Sequence, residues 1–221
     1  MKVEPVQHWE RVYRDVGDGP TPWDVPETPA EVLHWIARVP SPARVIDLGC
    51  GRGRDTCALA MSGHDTVGID FSASAVGAAR RAAAQLGLGN VSFEVADILR
   101  FRARRPFDLA IDYSVFHHIR PEDRDLYRDT IAALVRPEGL FGMVCYSDRD
   151  PSAQGGPDRV GSLGNTIHHP SADEVVSLLC GHFSLKEHGE TTLGRRSHHL
   201  AHRFLFRRRT DALAVGARKG L

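Results

Sequence analysis

The stretch VIDLGCGRGRD, residues 45–55, decides the fold. Its apolar run stops at Asp47, and Gly49, Gly51 and Gly53 follow at alternate positions. Glycine there allows a tight turn and the close approach of a ligand to bare backbone. The turn runs into a helix N-terminus near Arg54 and Asp55. In an open parallel sheet, ligands bind beyond the carboxyl ends of the strands, where strand order reverses. A first strand ending in three glycines predicts that kind of site.

Outward from this stretch, short apolar runs alternate with helical ones. Residues 8–16 and 29–38 read as helices, the second with Pro29 near its first turn, separated by a Gly/Pro-rich segment. ARVIDLG, HDTVGID, NVSFEVAD, FDLAIDYS and GLFGMVCYS read as strands, and FSLKEHGE and HHLAHRFLFR as two final ones. Between them RDTCALAMSG, SASAVGAARRAAAQLG (capped by Ser72 or Ser74, stopped by Gly87), PEDRDLYRDTIAALV and SADEVVSLLCG read as helices. This alternation predicts an α/β fold, a Rossmann-like, seven-stranded, mostly parallel sheet with helices on both faces. Residues 147–164 are polar and rich in Gly and Pro, a loop long enough to act as a lid. One domain is expected. Residues 1–40 form its N-terminal helices, 41–146 a cofactor-binding half, 147–206 a substrate-side half and 207–221 a flexible tail.

Composition narrows the function classes. Lys plus Arg equals Asp plus Glu, 28 each, so no global field points to nucleic acid or membrane. The start, MKVEPVQHWERVYRD, has no apolar core of signal-peptide type, and no run of about 18 apolar residues occurs. Cys50, Cys57, Cys145 and Cys180 lack CxxC spacing and read as reduced thiols of a cytoplasmic protein.

The acids at the strand ends specify the ligand. A dinucleotide turn wants G-x-G-x-x-G/A, but counting from Gly49 the sixth position is Arg54, too bulky for close helix–strand packing. A carboxylate at Asp47 would repel a pyrophosphate and suits a cationic tail. Asp70, ending the second strand beside Phe71, can accept from both ribose hydroxyls. Asp97, ending the third beside Ile98, can accept from an adenine amine, with Phe71 and Ile98 flanking the ring. Three acids on three successive strands describe S-adenosyl-L-methionine, whose demethylated product is S-adenosyl-L-homocysteine.

With those residues in place, the chain resembles class I S-adenosylmethionine-dependent methyltransferases over about residues 9–190. Two stretches resemble the thiopurine, thiol and halide methyltransferase branch: W-E-R-V-Y (Trp9–Tyr13) with T-P-W-D (Thr21–Asp24), and FDLAIDYSVFHHIRP (Phe107–Pro121). The chain departs from that pattern at Val25-Pro26-Glu27, where the branch commonly has a glycine, and in the pair His117-His118. The resemblance implies an N-terminal helical lid over the cofactor carrying Trp9, Tyr13 and Trp23. It also implies a floor of Asp112, Tyr113 and Ser114 bordering methyl donor and acceptor. A sulfonium near such rings gains cation–π attraction of roughly 0.5–2 kcal/mol.

Methyl transfer needs positioning and a dry pocket rather than a covalent intermediate. A thiol acceptor needs little help, whereas a hydroxyl or protonated amine needs a general base. His117 and His118, one turn past the fourth strand, are the base candidates, with no more than one of the pair expected to face the site, and Tyr113 lies beside them. His169, before Pro170, can border the acceptor mouth. The pairs His168-His169 and His198-His199 lack the spacing of a closed zinc site, and the reaction requires no metal.

The expectation is methyl transfer to a small-molecule acceptor, a thiol or other soft nucleophile, by a monomer or homodimer acting without membrane or nucleic acid. The alternatives are O- or N-methylation of a natural-product metabolite and, further off, RNA methylation using the basic C-terminal stretch. A catalytically silent cofactor-binding subunit is a third reading.

Overall fold

A computed structural model describes residues 5–210 apart from 18, 22, 24, 26, 154, 155, 157, 162 and 195–197. Pro22 and Asp24 of the T-P-W-D stretch and the tail from residue 211 therefore lie outside the described residues.

Helices α1 (Pro5–Val16) and α2 (Ala30–Ile36) precede the alternation β1 (Arg44–Leu48), α3 (Arg54–Met61), β2 (Asp65–Asp70), α4 (Ala73–Gln85), β3 (Val91–Val95), β4 (Phe107–Tyr113), α5 (Arg124–Leu134) and β5 (Val135–Tyr146). A short pair, β6 (Asp158–Val160) and β7 (Thr166–His168), then α6 (Ala172–Leu179), β8 (Phe183–Leu193) and β9 (His199–Arg208) complete the chain. The seven-stranded sheet runs β3-β2-β1-β4-β5-β9-β8. Its first five strands are mutually parallel, and β9 is antiparallel to both β5 and β8. Strand order reverses between β1 and β4, so the glycine turn after β1 opens into the switch-point crevice.

The central strands are apolar on both faces because helices cover both. Ile46, Leu48, Ala110, Phe141 and Met143 pack with Tyr127 and Ile131 of α5 and Val175 and Leu179 of α6. Their chain neighbours Val45, Leu109, Ile111 and Leu140 point the other way, onto Val32 and Trp35 of α2 and Leu59 of α3. At Gly142 a Cβ would collide with the Trp35 ring, so a bare position on β5 is what lets α2 lie flat. Ser72 caps α4, its hydroxyl accepting the Ala75 N–H at 3.1 Å.

Three segments differ from expectation. Arg207 and Arg208, expected to open a flexible tail, are the last residues of β9, opposite Ser184 and Phe183 of β8, because the sheet pairing continues to that point. The 147–164 loop contains β6, which pairs antiparallel with β7 in the register Asp158↔His168 and Val160↔Thr166. A side-chain hydrogen bond between His168 and Asp158 ties that register. Three-residue strands are too short for alternation to show in sequence. Strand β5 also begins earlier, at Val135, because a register shift between Phe107 and Leu109 of β4 lets Arg136–Gly139 bulge within the pairing.

Candidate active site

A cavity of about 710 Å³ lies beyond the carboxyl ends of β1–β4, within the ordinary range for ligand pockets of roughly 300–1,000 Å³. Asp47, Gly49, Gly51, Asp70, Phe71, Asp97 and Ile98 line one end. Trp9, Tyr13 and Trp23 cover it, Tyr113 and Ser114 border its middle, and His117 and His118 line the far side.

The acids are held by their own turns. One oxygen of Asp70 accepts the Gly51 N–H at 3.0 Å and the other the Ser72 N–H at 2.8 Å, so this carboxylate ties the glycine turn to the start of α4. Burial raises its pKa, and those two N–H groups pull it back. Asp47 takes the Thr56 hydroxyl at 2.6 Å. Burial, with repulsion from Asp55, pushes the Asp47 carboxyl up to about 7. A buried carboxyl in that state is stabilised when a cation arrives beside it. Asp97 accepts the Leu99 N–H at 2.9 Å, leaving its second oxygen near Arg100 at 3.9 Å.

The arginines of the glycine turn are spent on the lid rather than aimed at a phosphate. Arg52 donates to the carbonyls of Gly19 at 2.7 Å and Gly17 at 2.5 Å. Arg54 forks onto Asp55 at 2.8 and 2.6 Å and donates to the Val25 carbonyl at 3.2 Å. Helix α1 is fastened from the other side by Glu10, which accepts the Ser72 hydroxyl at 2.8 Å and the Ser74 N–H at 3.1 Å. So anchored, Trp9 meets Trp23 edge-on at 5.3 Å and His118 at 4.9 Å, while Trp23 Nε1 donates to the Tyr13 hydroxyl at 3.2 Å. The lid thus touches the turn after β4.

At that turn Ser114 holds φ +80°, rare for a residue with a side chain, and its N–H bonds the Val144 carbonyl at 2.9 Å. His117 and His118 follow in a single 3-10 turn, Phe116–His118. Both line the cavity, where only one was expected to, their rings in edge contact with 4.3 Å between centroids. His117 stacks on Tyr146 at 4.1 Å, and its Nδ1 accepts the Tyr146 N–H at 3.4 Å. Burial, with the positive charge of neighbouring histidines and Arg159, holds the His117 imidazole well below its usual range. Burial likewise pushes His118 down to about 4.

Three expectations are corrected by the geometry. Asp112 does not line the cavity. It is fully buried, accepts the Val115 N–H at 2.9 Å, the Phe116 N–H at 3.3 Å and the Tyr127 hydroxyl, and so braces the turn from behind. Gly53 is bare for packing, not for a ligand: at φ +79° a Cβ there would strike the Phe93 ring and Ala79. His169 sits behind the wall, its Nδ1 donating to the Ser147 carbonyl at 3.0 Å and its Nε2 accepting from Arg159 at 2.9 Å.

Sequence reasoning missed the rest of the acceptor wall. Tyr146 at the end of β5, Arg159 on β6, Leu163, Asn165 and Ile167 of the β6–β7 pair and His199 of β9 all line the cavity. Arg159 lies over the Tyr146 ring, 5.6 Å from its centroid. These residues come from distant segments that only the sheet topology brings together.

A crevice at the switch point, acids at three successive strand ends and an aromatic cover together define a class I methyltransferase. The comparisons agree. The family model described as a methyltransferase domain matches residues 41–173, and the chain belongs to that family. It is an S-adenosylmethionine-dependent methyltransferase. The chain is 31% identical over 157 residues to 2-heptyl-1-hydroxyquinolin-4(1H)-one methyltransferase of Mycobacteroides abscessus, covering 71% of this chain and 66% of that protein. It is 32% identical over 194 residues to thiocyanate methyltransferase 1 of Brassica oleracea, covering 85% and 83%. Among solved structures, one from work on the conversion of a disulfide bond into a thioacetal group during echinomycin biosynthesis superposes with a TM-score of 0.74 at 28% identity, covering 92% of this chain and 93% of that one. Among the described residues no helix is long and apolar enough to cross a membrane.

Proposed function

We propose that this chain methylates a small, flat acceptor at a soft nucleophilic atom, a thiol or comparable anion first. One observation carries the reading: the strand-end acids, Tyr113 and Ser114, and the aromatic and histidine side chains all line one cavity. The donor fits the first end. Asp47 beside Gly49 holds its cationic amino-acid tail, Asp70 its ribose, and Asp97 its adenine amine, with the ring between Phe71 and Ile98. When bound, the donor supplies an electrophilic methyl on a sulfonium. Trp9, Tyr13 and Trp23 close over it and exclude water, and Tyr113 and Ser114 set the approach of the acceptor.

The acceptor lies along Tyr146, His117, His118, Leu163 and Ile167, with Arg159 beside it. Two relatives whose names specify an acceptor, thiocyanate and a hydroxyquinolinone, are consistent with a small one here. RNA methylation finds less support. Arg207 pairs with Glu138 at 3.5 Å, Arg208 donates to the Ala132 carbonyl at 3.0 Å, and Arg209 donates to the Cys180 carbonyl at 3.1 Å, so these cations serve the fold. The four free cysteines fit a reducing cytoplasm, and the chain acts as a monomer or homodimer organised as one domain, with its cofactor half before residue 147 and its substrate half after it.

The test is turnover of S-adenosylmethionine against thiocyanate, thiophenol and 2-heptyl-1-hydroxyquinolin-4(1H)-one. Methylation of at least one supports the reading. Donor binding without turnover on any, and methylation of RNA instead, overturns it.

A further inference from the structure

Three histidines line the acceptor end of the cavity, and only one of them is built as a base. His117 is not: its Nδ1 accepts the Tyr146 N–H at 3.4 Å, so its proton sits on Nε2 and neither nitrogen offers a lone pair. His118 is not: its Nδ1 lies 3.3 Å from the Asn165 amide and 3.4 Å from the Thr166 carbonyl, with Trp9 against its face and no carboxylate near it among the described residues. An imidazolium formed there has only the Thr166 carbonyl to stabilise it and no carboxylate behind it.

His199 differs. It lies at the start of β9, and its Nδ1 sits 3.3 Å from Oδ1 of Asp150. Asp150 is a prepared acceptor, 3% exposed. Its oxygens take the Ser152 N–H at 2.8 Å, the Ser152 hydroxyl and the Leu200 N–H. Burial alone would raise the Asp150 pKa, but these donors and His199 outweigh it and hold the carboxyl below the usual range, so it is ionised at neutral pH. An ionised carboxylate facing Nδ1 fixes the proton on that nitrogen and leaves Nε2 as the basic lone pair. Among the described residues Nε2 has no hydrogen-bond partner. The groups around the His199 ring are Asp150 and Ser152 on one side, and on the other Tyr146, 5.0 Å between ring centroids, with His117, His169 and Arg159 beyond it.

We infer that His199, oriented by Asp150, is the general base of the acceptor site, and that the substrate class therefore extends to acceptors that must lose a proton, such as an acidic hydroxyl or N-hydroxyl on a flat ring. This rests on the small-molecule reading above. In the step, the acceptor O–H proton passes to Nε2 while an oxygen lone pair bonds the methyl carbon. The carbon–sulfur bond breaks with its electrons left on sulfur, yielding the neutral thioether. The imidazolium that results is balanced by Asp150 and returns its proton to water.

Two acceptors separate this role from packing. Thiocyanate has no proton to lose, whereas 2-heptyl-1-hydroxyquinolin-4(1H)-one has one on its oxygen. A positioned base is worth roughly 10²–10⁴-fold. In His199→Gln the ratio of kcat with the hydroxyquinolinone to kcat with thiocyanate should fall about 100-fold or more, and Asp150→Asn should lower it in the same direction. At saturating donor, which removes the pH dependence of donor binding, the acid limb of the kcat profile with the hydroxyquinolinone should be absent in His199→Gln. Equal losses with both acceptors, no loss with either, or a wild-type chain that methylates thiocyanate alone overturns the inference. A readout independent of turnover uses ¹⁵N-histidine spectra of the wild-type chain. Nδ1–H with bare Nε2 at His199 supports the inference, and Nε2–H overturns it. Should none of thiocyanate, thiophenol and the hydroxyquinolinone be methylated, the proposed function fails, while the tautomer still decides the dyad.

Discussion

The Nε of Arg159 donates to Nε2 of His169 at 2.9 Å, and Nδ1 of the same ring donates to the Ser147 carbonyl at 3.0 Å. The imidazole therefore has one defined tautomer and aims a guanidinium at the acceptor wall. A hydrogen bond to a charged group contributes about 1.5–3 kcal/mol, roughly 10–100-fold in affinity. With thiocyanate as acceptor, Arg159→Gln should raise KM by about that factor and change kcat less. His169→Ala should raise KM in the same direction by a smaller factor. Steady-state kinetics check this, and an unchanged KM in Arg159→Gln would place the arginine outside the acceptor site.

Asp47 predicts how donor affinity varies with pH. Its folded-state pKa is raised to about 7 from an ordinary 3.8, so in the free chain the carboxyl remains protonated over much of that interval. Binding a cation requires the ionised form. Affinity for S-adenosylhomocysteine should rise between about pH 5.5 and pH 7, with release of a proton, and the slope should vanish in Asp47→Asn. Calorimetry in buffers of different ionisation enthalpy measures both quantities.

The same raised pKa has a consequence for folding. A carboxyl that holds its proton longer in the folded chain stabilises it below the unfolded pKa, and that contribution is lost as pH rises through the folded value. Asp47, at about 7, and Asp112, at about 6, both act in this sense. His117 and His118, held low by burial, act in the opposite sense, so the prediction is for the difference: the stability of the ligand-free wild-type chain relative to Asp47→Asn should decline from about pH 4 to pH 7. Denaturant midpoints across that range are the check.

Asp70 and Asp112 separate ligand binding from bracing. Asp70→Ala loses two backbone hydrogen bonds as well as any contact to the donor, so it should lower stability by about 1–3 kcal/mol and weaken donor binding together. The substitution is not silent for folding, as a ribose role alone would make it. Asp112→Ala strands the Val115 and Phe116 N–H groups and the Tyr127 hydroxyl. It should lower stability at least as much, with donor affinity of the folded fraction changing less. Thermal melts paired with calorimetry distinguish the two.

Much of this was legible in the sequence because it is local. The glycine turn, Asp70 and Asp97 each follow an apolar run within a few residues, and the alternation of Val45 and Ile46 between two covered faces sets the parallel sheet. Asp112 misled because a strand-end aspartate reads the same whether it faces a crevice or caps the turn behind it. Gly53 misled because bareness for Phe93 resembles bareness for a ligand. Arg159 and His199 gave no local signal. They reach Tyr146 only because β9 inserts beside β5 and the β6–β7 pair folds back against the turn after β4. The pair His198-His199 was visible, but its partner Asp150 lies 49 residues away from His199.

The most direct test of the central claim is a crystal structure of the chain with S-adenosylhomocysteine. The account predicts the amino-acid end at Asp47 and Gly49, the ribose on Asp70 and the adenine between Phe71 and Ile98, with the sulfur facing Tyr146 and His199. An adenosyl group seated elsewhere, or a crevice that takes a phosphate-bearing nucleotide in its place, would contradict it.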